Sequence, residues 1–261
     1  MVANPICKVC EGTGWKPVER DGVRAVERCD CRVTERSERL LDQARIPRRY
    51  EHCTFENFDI RKDKDTGRRN ATLERALFFA RRFVEEYPAE FGLLFYGTTG
   101  VGKTHLAVAV LRELVFEKGV ACLFYDFRDL LKEIRDSYNP VSETSELRVL
   151  QPVLDAEVLL LDEMAASDPS NWVKETLAHI INSRYNQKKT TLITTTLPMG
   201  GGSDGEKRNS PSGEPLDVER SLSQLGTTLC SRLYEMCKLV EMNSDDYRRS
   251  IKQAGCQFHS E

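Results

Sequence analysis

The chain has 261 residues, 40% hydrophobic and 30% charged, enough apolar material for one large domain or for an α/β domain with a small appendage. Its net charge of -3 excludes a globally basic nucleic-acid binder, and no apolar run approaches the roughly 18 residues of a membrane span. The first residues lack a basic-then-apolar secretory pattern, which points to a cytoplasmic protein whose nine cysteines stay reduced.

In chain order, the first feature is a cysteine pattern, Cys7-x-x-Cys10 followed by Cys29-Asp30-Cys31. Two close pairs joined by a short loop can converge on one tetrahedral Zn²⁺ as four thiolates, with Gly12 and Gly14 easing the turn between them. Four reduced thiols in a flexible head are the plainer alternative. The first fifty residues carry eleven Lys/Arg against eight Asp/Glu, and nothing among them looks catalytic, so the head reads as an interaction module. A polar helix is expected over residues 35–44, stopped at Ile46-Pro47. A hinge near Pro47 would then divide a cysteine-rich head, 1–45, from a core, 46–261.

The aromatics of Ile46-Pro47-Arg48-Arg49-Tyr50 and Thr54-Phe55-Glu56-Asn57-Phe58 either flank an adenine ring or pack in the core. Residues 61–69 read as a charged, exposed connection. Leu73, Ala76, Leu77, Ala80, Phe83 and Val84 recur at helical spacing, ending before Pro88. A short apolar strand, Leu93-Leu94-Phe95-Tyr96, then feeds Gly97-Thr98-Thr99-Gly100-Val101-Gly102-Lys103-Thr104, and a helix follows from His105. Strand, G-x-x-x-x-G-K-T and helix make a phosphate-binding P-loop. The run from Gly97 to His105 is therefore the expected ATP-binding stretch, with Lys103 reaching the β- and γ-phosphates and Thr104 ligating Mg²⁺.

Beyond it, a strand is expected over residues 120–125 and a helix over 126–137. That helix bears Arg128, Lys132 and Arg135 on one side, either a solvated face or a track for a DNA backbone. Val158-Leu159-Leu160-Leu161-Asp162-Glu163 has the Walker B form: Asp162 for the Mg²⁺ shell and Glu163 to orient and polarise water, which argues for hydrolysis. A helix over 172–185 leads to a β-branched strand ending in Thr194-Thr195-Thr196, where Thr195 or Thr196 can sense a γ-phosphate at the ligand edge of a parallel sheet. Residues 199–221, with Lys207 and Arg208, read as a mobile loop. A helix over 222–237, a strand over 238–242 and a terminal helix from Asp245 complete an α/β fold, a parallel sheet flanked by helices.

With these motifs in place, the chain resembles the DnaC/DnaI-type replicative helicase loaders, AAA+ ATPases grouped with IstB-like transposition ATPases. The resemblance runs from Ile46 onward. It rests on Thr54 to Phe58, the P-loop, Leu159 to Glu163, Ser231-Arg232-Leu233 and Asp246-Tyr247-Arg248. It implies that Arg232 is an arginine finger acting on a neighbouring subunit and that Arg248 is a sensor arginine on bound nucleotide. It also marks Thr195 and Thr196 as standing near the place where relatives more often carry asparagine. The implied partners are the replicative helicase hexamer, gripped by the head, single-stranded DNA, and further copies of the chain through AAA+ interfaces. The competing readings are an IstB-like ATPase directing a transposase to DNA, an ATP-gated DNA-binding adaptor with little turnover and, more distantly, a small-molecule kinase.

Overall fold

The computed structural model describes residues 7–20, 22–62, 67–139, 145–164, 169–196 and 225–248. Apolar runs without polar alternation suit strands covered on both faces, and five of them form one parallel sheet. These are β3 (Gly92–Gly97), β4 (Cys122–Asp126), β5 (Val158–Asp162), β6 (Thr190–Thr195) and β7 (Cys237–Met242), in the order β4-β5-β6-β3-β7. Residues alternate between two apolar layers. Leu93, Phe95, Val158 and Leu160 face one layer, and Leu94, Leu159 and Leu161 face the other.

The first layer is covered by α2 (Ala71–Glu85) and α3 (Lys103–Lys118). The second is covered by α4 (Phe127–Ser137), α5 (Glu146–Asp155), α6 (Asn171–Asn186) and α7 (Thr227–Met236). Local capping explains several starts. Asn70 caps α2 through bonds from the Thr72 and Leu73 N–H groups, and Asp126, the last residue of β4, caps α4. The chain leaves β3 for β4 across two strands, while β7 lies on the other side of β3. The order therefore reverses beside β3, and the carboxyl ends of β3, β5 and β6 open onto one crevice.

Ahead of this core lies a hairpin, β1 (Trp15–Arg20) and β2 (Val23–Arg28), and then α1 (Asp30–Gln43). The helix expected from residue 35 thus begins at residue 30, directly after Cys29. The division expected at 45/46 does not coincide with a gap in packing. Ser37 donates to the Val115 carbonyl of α3, the Phe124 amide of β4 donates to the Ala44 carbonyl, and Leu40 and Leu41 rest on the first apolar layer. Of the helix expected from residue 222, residues 222–224 lie outside the described residues, and the observed helix begins at Thr227, after Gly226 at φ 100°. The loop expected over 199–221, and the terminal helix beyond Arg248, lie outside the described residues. No helix among the described residues is long and apolar enough to cross a membrane.

Arg184 of α6 is wholly buried and ties three elements together. It donates to the Thr191 hydroxyl, to the Thr190 carbonyl of β6, and to the Val153 and Ala156 carbonyls at the end of α5. Burial among these neutral acceptors pushes its guanidinium down to about 10. Arg184→Leu would strand buried carbonyls and is expected to cost about 3 kcal/mol, read as a fall in the urea midpoint.

Candidate nucleotide site and cysteine cluster

The glycine loop turns at the carboxyl end of β3. Gly102, at φ 103°, gives the loop the left-handed step that admits α3, with the Phe58 ring packed where a β-carbon would point. Val101 is buried beneath the loop. Lys103 is 6% exposed, and its ammonium folds onto the loop itself, donating to the carbonyls of Gly97 (3.0 Å) and Thr98 (2.8 Å). Burial holds it down at about 8, against the opposing pull of Glu163 and Asp162 nearby. Across the crevice, the Thr104 hydroxyl donates to Asp162 Oδ1 at 2.8 Å. Burial pushes the Asp162 carboxyl up, while hydrogen bonds from the Thr194 and Thr104 hydroxyls oppose that rise. A hydroxyl and a carboxylate converging at this distance are hard oxygen donors of the kind Mg²⁺ takes.

Glu163 follows in the left-handed region, φ 52°, and its Oε1 accepts from the Thr196 hydroxyl at 3.3 Å. In β6 the fully buried Thr194 and Thr195 point to opposite faces, and Thr196 follows just past the strand end. Of the two threonines expected to sense phosphate, Thr196 bonds Glu163. His105, in the first turn of α3, directs Nε2 to the Thr54 carbonyl at 3.0 Å and pins the preceding segment. Phe55 and Phe58 are buried in the first apolar layer, which favours core packing for these aromatics. Phe58 also lines a cavity of about 350 Å³ with Asn57, Asp59, Ile60 and Arg69.

The back wall of the loop comes from residues 243–248, a stretch that includes the Asp246-Tyr247-Arg248 motif. Thr98 Oγ1 donates to the Ser244 carbonyl and accepts from its amide, and the Tyr247 amide donates to the Gly100 carbonyl. Arg61 bonds the Asp245 carbonyl and lies over the Tyr247 ring. Arg248 is exposed at the end of this wall, within electrostatic reach of Lys103. Tyr50, one of the aromatics expected either to flank a base or to pack in the core, also stands close to this site. Burial first, then the Asp162 charge, raises its phenol, and Thr104 lies within hydrogen-bond reach. Its approach depends on how the 3-10 turn Arg48–Tyr50 follows α1, which no local spacing signals.

Other expected residues lie farther off. On α7, Arg232 bonds Asn182 of α6 and lies over the Tyr185 ring. On α4, Arg128, Lys132 and Arg135 are all exposed, and the Arg135 guanidinium lies over Trp172, 4.7 Å from the ring centre.

In the head, Cys7, Cys10, Cys29 and Cys31 bring their sulfurs within 4.8 Å of one another. Cys7 and Cys29 are 3.7 Å apart, and Cys10 and Cys31 are 3.5 Å apart. Thiolates around one zinc at about 2.3 Å would stand about 3.8 Å apart, so the cluster fits that ion. The N–H groups of Val9 and Cys10 hold the Cys7 thiol down at about 7, and the neighbouring cysteines push Cys31 up to about 12.

The sheet order, the glycine loop and the acidic strand end define a P-loop ATP-binding protein with an AAA+ core. The chain belongs to the family of IstB-like ATP-binding proteins, whose sequence profile matches residues 23–255. It is 28% identical over 163 residues to the replicative helicase loader DnaC of Escherichia coli K12, covering 62% of each chain. The match thus spans about 62% of the length of that curated relative. A crystal structure of the DnaC helicase loader superposes with a TM-score of 0.60 at 30% identity, covering 76% of this chain and 100% of that one. The crystal structure of DnaI shares the fold, with a TM-score of 0.55, 21% identity, and coverage of 78% and 95%.

A β-carbon at Gly100, itself at φ 74°, would overlap the Asp246 carboxylate. Gly100→Ala is therefore expected to displace the back wall, seen as faster amide exchange across residues 243–248.

Proposed function

We propose that this chain is an ATP-hydrolysing loader of the replicative DNA helicase that acts on single-stranded DNA. The observation that carries the reading is the likeness to the DnaC helicase loader structure, which extends over the whole of that chain at 30% identity. In this reading residues 46–261 are the ATPase and residues 1–45 the head that holds the helicase, with Zn²⁺ on Cys7, Cys10, Cys29 and Cys31. Beside that cluster Val9 is exposed, and Trp15 and Val26, which share one face of the hairpin, are exposed as well, a surface suited to a protein partner.

For hydrolysis, the amides from Gly97 to Thr104 cradle the phosphates. Lys103 exchanges its loop carbonyls for β- and γ-phosphate oxygens, a low-cost exchange for an ammonium already buried at that spot. Thr104 and Asp162 hold Mg²⁺, which when bound supplies positive charge against the phosphate oxygens. Glu163 orients a water and accepts its proton as the water oxygen bonds the γ-phosphorus and the bond to the β-phosphate oxygen breaks, leaving ADP and phosphate. Thr196 steadies the Glu163 carboxylate. Arg248 acts on nucleotide in its own chain. Arg232 leaves Asn182 to reach the nucleotide of a neighbouring copy, so assembly and hydrolysis depend on each other. Arg128 and Lys132, with Arg135 behind them on Trp172, face the DNA backbone.

Glu163→Gln is expected to bind ATP with near-native affinity while turnover falls by at least about 100-fold; native turnover would remove the assigned role. The partner is tested by co-purification with the host's replicative helicase. Because α1 packs on the core, the informative head variants are Trp15→Ala and Val26→Ala rather than a truncation at residue 45. The native chain should retain helicase in the presence of ATP, and the doubly substituted chain should lose about tenfold in affinity. A native chain that ignores the helicase in both ATP and ADP would turn the reading toward the transposition ATPases of the same family.

A further inference from the structure

Thr194 takes no part in the reading above, and it contacts three successive residues at the acidic strand end. Its hydroxyl donates to Asp162 Oδ1 at 2.6 Å and accepts from the Glu163 amide at 2.9 Å. Its carbonyl accepts from the Met164 amide at 2.8 Å. The parallel register that sets Leu161 beside Ile193 brings these groups together, and Thr194 is wholly buried.

We propose that Thr194 is a positioning residue for the nucleotide site, orienting Asp162 toward the cation and Glu163 toward the attacking water; the second half rests on the hydrolytic reading above. The direction of both hydroxyl bonds follows from the partners, because an ionised carboxylate only accepts and an amide only donates. One hydroxyl thereby couples a side chain to the backbone of the next residue. That backbone needs the support, since Glu163 adopts a left-handed conformation that a side chain-bearing residue rarely takes. The conformation turns the chain out of β5 and presents the Glu163 carboxylate to Thr196, two residues past Thr194 and just beyond the end of β6.

Asp162 Oδ1 also accepts from Thr104. A hydroxyl that lends a lone pair to a cation would keep its proton for Asp162, so the Thr104 and Thr194 bonds together would keep the carboxylate from rotating. A hydrophobic residue of the same shape would fill the space and leave the Glu163 amide without its acceptor.

The test compares Thr194→Val, which keeps the shape, with Thr194→Ser, which keeps the hydroxyl; Thr194→Ala repeats the loss with a smaller side chain should the valine chain not fold. Binding of a fluorescent, non-hydrolysable ATP analogue is titrated with Mg²⁺, and ATP turnover is measured at saturating Mg²⁺. The variants lacking the hydroxyl are expected to bind analogue without Mg²⁺ as the native chain does. They should need about tenfold more Mg²⁺ to reach the metal-strengthened affinity, and their kcat should fall by about 10- to 100-fold. Serine should restore both quantities. A native Mg²⁺ midpoint in folded Thr194→Val or Thr194→Ala, or a folded serine chain no better than they are, overturns the proposal. Absence of turnover in the native chain would instead defeat the hydrolytic reading, and the Mg²⁺ midpoint would still decide the role of Thr194 toward Asp162.

Discussion

A carboxylate carried into the interior of a sheet is tolerated only where donors take the place of water. Asp162 is 5% exposed at the end of the fully apolar strand β5, and the architecture around it reflects that demand. Thr104 arrives from the first turn of α3, Thr194 from the neighbouring strand, and the buried ammonium of Lys103 supplies opposite charge nearby. None of these groups is adjacent to Asp162 in sequence. The order β4-β5-β6-β3-β7 brings them together, with the carboxyl ends of β3, β5 and β6 at one crevice.

The legible parts of this arrangement were those written as spacing. The glycine loop with Lys103 and Thr104, and the apolar run closed by Asp162 and Glu163, depend on residues adjacent in sequence and stand where their motifs indicate. The hairpin β1–β2 was not legible. Its strands are largely exposed, with only Lys16, Val18 and Glu27 half-buried, and the residues on that face include charged ones, so the apolar alternation that marks a half-buried strand is missing. Helix α5 was hidden by its short length and by Pro152 within it. Thr194 looks like an ordinary β-branched strand residue until the register shows which side chain it faces. Tyr50, Arg61 and the wall from residue 243 onward act across long sequence separations, and only the folded chain brings them to the loop.

The head is joined to the core by more than a tether. Helix α1 has the cysteine cluster at its start, with Cys29 at its N-cap and Cys31 in its first turn. Its other end meets β4 through Ala44. Arg45 continues the connection, bonding the Tyr125 hydroxyl and lying over that ring, while Tyr125 in turn donates to Glu133 of α4. Five residues past Arg45, Tyr50 stands beside Thr104 and Asp162. A rigid helix therefore leads from the cysteines to the side of the nucleotide crevice.

The wall behind the glycine loop has a consequence for biosynthesis. Thr98 exchanges hydrogen bonds with Ser244 across 146 residues, and β7 pairs with β3 along its whole length. On a translating ribosome the glycine loop emerges long before the strand and wall that back it, and closure over so long a separation cannot precede their arrival. A chain cut short by a premature stop before residue 237 would carry the complete phosphate-binding motif yet lack half of its support. The loop is thus completed structurally only near the end of synthesis, although its motif is encoded 146 residues before the wall that backs it.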